Sequence, residues 1–312
     1  MHEDNKTIIM EFLLVGFQSL HNLTILFFIC LFIMYITILF GNFFIALIVL
    51  AFPHLHTPMY FFLSQLASAE IVFTTTIIPK LLSVILLKGD TISTVGCVTQ
   101  FYMFSVSTNA ESLFLTVMSY DRYLAICDPL HYSSIMNFNF CLWLTIFSWF
   151  YSFLSTFVVV VQIGILQFCG SNVIDHYYCD LTPLLEHSCS DTSLIEMEIF
   201  LFSIPIAIFP FVFIVLTYLR IVLAILRIPS TTGKKKAFST CSSHLAVVCT
   251  YYSTLITIYV MPTKENTVNL NKFLSLLYTV LTPLFNPIIY SLRNKEIRAI
   301  LEKNIFRKVF LK

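Results

Sequence analysis

The chain reads as an all-α membrane protein, a seven-transmembrane helix bundle with a short amphipathic C-terminal helix. Three observations predict this. Of the 312 residues, 58% are hydrophobic and only 11% charged, against roughly 25% charged in soluble domains. No Lys, Arg, Asp or Glu occurs between Glu11 and Glu70, between Asp128 and Asp175, or between Lys236 and Lys264. The basic residues, finally, gather on one side of the spans that those gaps define.

A membrane-spanning helix needs about 20 mostly apolar residues. Breaking the charge-free stretches at turn-forming and polar clusters gives spans at 23–50, 58–87, 97–127, 140–164, 194–226, 238–261 and 271–291. Pro58 fits a first helical position, where its missing N–H costs nothing. Pro205, Pro210, Pro283 and Pro287 fall inside spans, where neighbouring helices can satisfy the freed carbonyls. After the last span, Asn294 to Phe306 alternates basic residues with Ile297, Ile300, Leu301, Ile305 and Phe306, a pattern suited to a helix lying along the membrane surface. The expected organisation is an extracellular N-terminus (1–22), a membrane domain (23–291) and a cytoplasmic tail (292–312).

Orientation follows from the basic residues. Thirteen of the eighteen Lys and Arg fall on one side: Arg122, Arg220, Arg227, Lys234, Lys235, Lys236 and the seven from Arg293 onward. That side is expected to be cytosolic, in a multi-pass protein of the plasma membrane. Residues 1–22 lack a basic segment followed by an apolar one, so the first span is expected to act as its own insertion signal. The sequon Asn5-Lys6-Thr7 then lies outside as a glycosylation candidate. Cys97, Cys169, Cys179 and Cys189 also lie outside, where disulfides persist; four cysteines allow three pairings.

Several functions are argued against. A net charge of +1 and the lack of a basic stripe give no sign of nucleic-acid binding. No Gly-x-Ser-x-Gly, His-Glu-x-x-His or facing aspartates suggest an enzyme. No cofactor is expected beyond a candidate Na+. A small-molecule transporter or channel is the alternative; few ionisable residues, no repeat and no pair of Gly-interrupted helices speak against it.

The segment Met118-Ser119-Tyr120-Asp121-Arg122-Tyr123-Leu124-Ala125-Ile126-Cys127 places an ion pair at the end of an apolar run, and such pairs are rarely put there without use. Leu55-His56-Thr57-Pro58-Met59-Tyr60 opens the second span. Lys236-Ala237-Phe238-Ser239-Thr240-Cys241-Ser242-Ser243-His244 opens the sixth, and Pro283-Leu284-Phe285-Asn286-Pro287-Ile288-Ile289-Tyr290 closes the seventh. With these blocks in order, nearly the whole chain resembles the olfactory receptors, a rhodopsin-like G-protein-coupled family. The resemblance implies a volatile odorant as ligand and a stimulatory, olfactory-type heterotrimeric G protein as partner, with cAMP as the output. It also implies the pairings Cys97–Cys179 and Cys169–Cys189. The sequence departs from the family pattern with Glu70 in helix two, Thr217-Tyr218 in helix five, and Tyr251-Tyr252-Ser253 and Met261 in helix six. The bulk of Tyr251-Tyr252 puts a transfer of ligand specificity in doubt.

Three sites follow. The ligand is expected in the outer half of the bundle, against Phe104, Ser105, Thr108, Asn109 and Ser112 on helix three and Phe202, Ile206 and Ala207 on helix five. Tyr252, Leu255, Ile256 and Tyr259 on helix six and Leu276, Thr279 and Val280 on helix seven complete the ring. Such apolar walls with a few hydroxyls suit a neutral, mostly hydrophobic molecule with one hydrogen-bonding group. At the inner end, Asp121 is expected to restrain Arg122 until activation frees it for the G protein. Tyr123, Tyr218, His244, Asn286, Pro287 and Tyr290 share that face, and Lys234, Lys235 and Lys236 would attract lipid headgroups or the G protein. At mid-depth Glu70 and Glu111 form either a sodium site or a protonated, hydrogen-bonded pair.

Overall fold

In the structure, a computed structural model, the backbone is described for residues 9–17, 23–260, 268–293 and 297–298. Side chains are described for the same residues apart from 236, 240, 257–260, 268–271 and 291–293. Asn5, the side chains of Lys236 and Tyr259, and the tail pattern from Asn294, save 297–298, lie outside the described residues.

The bundle is built from α1 (Thr24–Ala51), α2 (Pro58–Leu87), α3 (Thr94–Cys127), α5 (Phe138–Gly164), the pair α7 (Ser193–Ser203) and α8 (Phe209–Arg227), α9 (Thr231–Val260), and the pair α10 (Val268–Leu276) and α11 (Thr282–Arg293). Short helices α4 (Tyr132–Ile135) and α6 (Leu181–Glu186) lie in connections. Five of the spans are long and apolar enough to cross a membrane by composition alone. The other two, α3 and α9, carry polar and charged residues. For α3 the reason is position: it packs against α2, α5, α8 and α9, so its polar side chains face protein rather than lipid.

Helix ends shift from the sequence reading where side chains cap them. α3 starts at Thr94 rather than 97, because Ser93 Oγ accepts from the Gly96 N–H at 3.1 Å. α5 starts at Phe138 rather than 140, because Asn137 accepts from the Phe140 N–H at 3.0 Å. Both are ordinary N-caps. α9 starts at Thr231 rather than 238, so the basic run Lys234–Lys236 sits on a helical extension.

The prolines inside spans have a visible local consequence. π-helical turns at Ile204–Ile208 and Leu277–Leu281 end just before Phe209-Pro210 and Thr282-Pro283. A proline cannot donate to the carbonyl four residues back, so Pro210 frees the carbonyl of Ile206. Ser112 Oγ on α3 donates to that oxygen at 2.7 Å. The interhelical bond thus exists because of the proline.

One end of the bundle is closed by a three-stranded sheet in the order β2-β1-β3. β1 (Glu11–Leu14) runs antiparallel to β2 (Asp90–Ser93), with Phe12 opposite Ile92. It runs parallel to β3 (Val173–Ile174), with Leu13 opposite Val173. Period-two alternation turns Phe12 and Leu14 inward, both fully buried.

Candidate functional site

Near the sheet-capped end, α3 supplies the centre of a polar and aromatic ring. Phe104 is buried and packs edge-on against Phe73, Phe101 and Tyr178 at centroid distances of 6.2, 5.8 and 5.6 Å. One turn on, Thr108 Oγ1 lies 3.0 Å from Tyr278 Oη, and its carbonyl accepts from Tyr251 Oη at 3.0 Å. A further turn on, Ser112 meets the Ile206 carbonyl and, at 3.2 Å, Tyr252 Oη. Tyr177 Oη reaches down from the connection after α5 to Thr279 Oγ1 at 3.1 Å.

The other expected ring members divide. Thr279, Val280, Ile206 and Tyr252 are buried, and Phe202, Leu255 and Leu276 pack on the core. Ser105 and Ala207 are half-buried. Asn109 Nδ2 donates to Thr156 Oγ1 on α5 at 3.1 Å, so its amide is committed between two helices. Ile256 is a correction. It is 48% exposed, because Tyr251, Tyr252 and Leu255 define the inward face of α9 and Ile256 turns past its edge.

Spacing along the chain does not reveal Tyr177 and Tyr278, and shows Tyr251 only as bulk; the hydroxyls of all three join elements far apart in the chain. A separate cleft of about 510 Å³ opens between α2 and α3 beside β2. There Lys80 Nζ donates to Asp90 Oδ2 at 2.6 Å, and this bond holds the Asp90 carboxyl below its ordinary range.

At mid-depth Glu70 and Glu111 are buried on α2 and α3. Asn286 Nδ2 on α11 donates to Glu70 Oε1, and Asn42 Nδ2 on α1 donates to the Ile38 carbonyl at 3.2 Å. Among the described residues, Glu70 Oε2, Glu111 Oε1 and Asn286 Oδ1 are shielded and make no hydrogen bond. Three shielded acceptor oxygens without donors fit a hard cation in donor chemistry.

Toward the opposite end, Asp121 is fully buried. Its Oδ2 accepts from Arg122 Nε at 2.8 Å and from Nη2; its Oδ1 accepts from Tyr132 Oη on α4 at 2.8 Å. Burial and the adjacent carboxylate push the Tyr132 phenol upward. Tyr218 Oη lies 2.6 Å from Nδ1 of the buried His244, and Tyr290 is buried close by in sequence to Asn286 and Pro287. Tyr123 stacks on Tyr120 at 6.5 Å. Gly41 permits α1 to approach α11, since an added Cβ would lie 2.9 Å from Pro287 Cβ.

Above the ring, the disulfides join Cys97 to Cys179 (Cα separation 5.4 Å) and Cys169 to Cys189 (6.0 Å). Lys272 of α10, only 3% exposed, donates to the Gly16 carbonyl at 2.9 Å and to Asp175 Oδ1 at 2.5 Å. That one ammonium pins the N-terminal segment, the connection after α5, and α10 together. Gly16 adopts φ +52°, a conformation that favours glycine.

His176 stands beside this latch. Burial and then the Lys272 charge push its imidazole down to about 3, against opposing pulls from Asp175 and a backbone hydrogen bond at Tyr178. A histidine kept neutral by the fold contributes stability above its ordinary pKa near 6.5. That contribution is lost as pH falls from there towards 3, because the unfolded chain takes up a proton that the folded lid refuses. Hydrogen exchange across 173–180 is therefore expected to accelerate, beyond the intrinsic rate change, between about pH 6 and 4, and His176→Phe should remove the effect. An acid-independent protection factor in the wild type would refute it.

A family profile described as olfactory receptor matches residues 29–308. The chain is 42% identical to Olfactory receptor-like protein OLF1 of Canis lupus familiaris, over 98% of this chain and 99% of that protein. It is 44% identical to Olfactory receptor 11A1 of Homo sapiens, over 96% and 94%. The fold is similar to that of squid rhodopsin, with a TM-score of 0.72 at 17% identity over 89% of this chain and 80% of that one.

Proposed function

This chain belongs to the olfactory receptor family, and from that premise we propose the following assignment. It binds a small, mostly hydrophobic volatile molecule in the sheet-capped half of the bundle and activates a stimulatory, olfactory-type G protein, raising cAMP. The sheet faces outside and the tail faces the cytosol, with Asn5 glycosylated. The observation that carries this reading is the separation of two built ends on one helix. Phe104, Thr108 and Ser112 lie in the polar ring, and Arg122 is held by Asp121 ten residues beyond Ser112. Eighteen residues separate Phe104 from Arg122, about 27 Å of helix. A ligand at the first cannot touch a partner at the second, so signalling requires two packings of the bundle, each favoured by one site.

An odorant panel tested on cells carrying an olfactory-type stimulatory G protein decides the matter. Odorant-dependent cAMP is expected. A ligand-gated current without any G protein would instead support the transporter or channel reading. Lys234 and Lys235, on the α9 extension, add attraction for anionic lipid headgroups at the cytosolic surface.

A second reading concerns Glu70, Glu111 and Asn286. Their shielded acceptors favour a sodium ion that stabilises the resting packing, supplying positive charge to oxygens that the Asn286 amide N–H does not reach. Agonist potency should then weaken as sodium rises, and Glu70→Gln should abolish that dependence. If potency ignores sodium and Glu70→Gln behaves as wild type, the carboxyls only hydrogen-bond.

A further inference from the structure

We propose that Glu198 is the ligand-facing acceptor at the outer end of the ring, and that the molecule it selects carries one O–H or N–H donor on an otherwise apolar frame. The proposal rests on the odorant-receptor reading and names the ligand class for that same site.

α7 turns Ile195, Ile199 and Phe202 towards the core and leaves Leu194, Met197, Phe200 and Leu201 exposed. Glu198 lies three residues after Ile195 and four before Phe202, spacings that make all three neighbours along one side of the helix. The residue is half-buried, and its Oε2 is shielded and has no hydrogen-bond partner among the described residues. Glu196, two residues earlier, is exposed and accepts from Thr192 Oγ1 at 2.9 Å. A shielded carboxyl oxygen without a donor is costly and uncommon. A donor from outside the chain removes that cost.

Helix register gives the depth. The 2.7 Å bond from Ser112 to the Ile206 carbonyl sets α3 and the α7–α8 span level at that point. Both helices run away from the sheet-capped end. Phe104 lies eight residues before Ser112, and Glu198 eight before Ile206, so each stands about 12 Å nearer the sheet. Glu198 and Phe104 therefore share one level, where Tyr178 packs on the Phe104 ring.

The chemistry of the ring then selects the ligand. Thr108 is paired with Tyr278, Asn109 with Thr156, Ser112 with Tyr252, and Thr279 with Tyr177. Those hydroxyls and that amide are engaged, whereas Glu198 Oε2 is an acceptor only. Alcohols, phenols and ammonium groups satisfy it. Ethers, ketones and esters bring further acceptors, and carboxylates bring repulsion as well.

The test uses the full chain in cells with a stimulatory G protein, cAMP readout and measured surface expression. The probes are alkyl, terpenoid and aryl frames, each as primary alcohol, primary amine, methyl ether and methyl ketone. Activation is expected from alcohol or amine members alone. Glu198→Ala should raise their EC50 by about tenfold to a hundredfold, the scale of a hydrogen bond to a charged group. Glu198→Gln separates the two donors: it keeps an acceptor oxygen, so an alcohol should lose only about threefold, whereas an ammonium ligand should lose as much as with alanine.

An ether or ketone as potent as its alcohol overturns the proposal, as does a Glu198→Ala receptor with unchanged EC50. Silence across the whole panel overturns the ligand class as stated. Phe104→Ala and Ser112→Ala serve as the control. If they shift potency and Glu198→Ala does not, the acceptor assignment fails alone; if none of the three does, the site itself is misplaced.

Discussion

Arg122→Ala is expected to reduce agonist-driven cAMP to the basal level while leaving the receptor at the cell surface. In the structure the guanidinium is turned back on its own neighbour, with Nε and Nη2 both on Asp121. Asp121 is fully buried and takes a third donor from Tyr132 on α4. An ion pair removed from water is held firmly only when its remaining lone pairs are satisfied, and here Tyr132 supplies that satisfaction. On the proposed assignment the arrangement restrains the cation that meets the G protein, so removing the cation removes the output.

Removing the restraint should do the reverse. Asp121→Ala should raise basal cAMP, and Tyr132→Phe should raise it less, because one hydrogen bond to a charged acceptor is lost rather than the whole anion. At about 1.5 kcal/mol for such a bond, the resting-to-active ratio would fall roughly tenfold. A full agonist response from Arg122→Ala at matched surface expression would defeat the assignment.

Cys179→Ser is expected to have the second large effect, loss of the folded receptor from the surface. Its disulfide partner Cys97 lies in the first turn of α3. The same junction holds Gln100, whose Oε1 accepts from the Cys179 N–H at 2.9 Å and whose Nε2 donates to the Thr76 carbonyl at 3.0 Å. One residue away, Tyr178 packs on Phe104. Losing the bond thus frees the connection that covers the ring.

Chain-entropy arguments set the order of effects. Cys97–Cys179 closes 82 residues and Cys169–Cys189 closes 20, so the first is worth about 1 kcal/mol more. Surface expression should fall further in Cys179→Ser than in Cys169→Ser, and Cys97→Ser with Cys179→Ser should be no worse than either alone. Equal expression of Cys179→Ser and wild type would contradict this.

The spans were legible because the bilayer acts on composition within one helix length. Charge-free gaps contain the first, fourth and sixth spans whole, and the ionisable residues within the other apolar runs, Glu70, Glu111, Asp121 and Arg122 among them, stood out. What was not legible was pairing at a distance. Tyr177 and Thr279 are 102 residues apart, Lys272 and Gly16 256 apart, and no local period announces such contacts. Tyr132 sits in a connection where nothing marks a tyrosine as the third donor to Asp121. Ile256 stands beside Leu255 in the expected ring, but the inward face of α9 is set by Tyr251, Tyr252 and Leu255.

The strand at Glu11–Leu14 carries a consequence for how the receptor is made. Its neighbours at Asp90–Ser93 and Val173–Ile174 are encoded far downstream. At about 5–20 residues per second of translation, the second neighbour leaves the ribosome some ten to thirty seconds after the strand does. Until Asp90–Ser93 is made, the ribbon bearing Phe12 and Leu14 has both edges bare, and until Val173–Ile174 is made one edge stays bare, the state in which strands stick to one another. On the proposed orientation that amino-terminal ribbon waits on the luminal side, one edge open, until the rest of the cover has been synthesised.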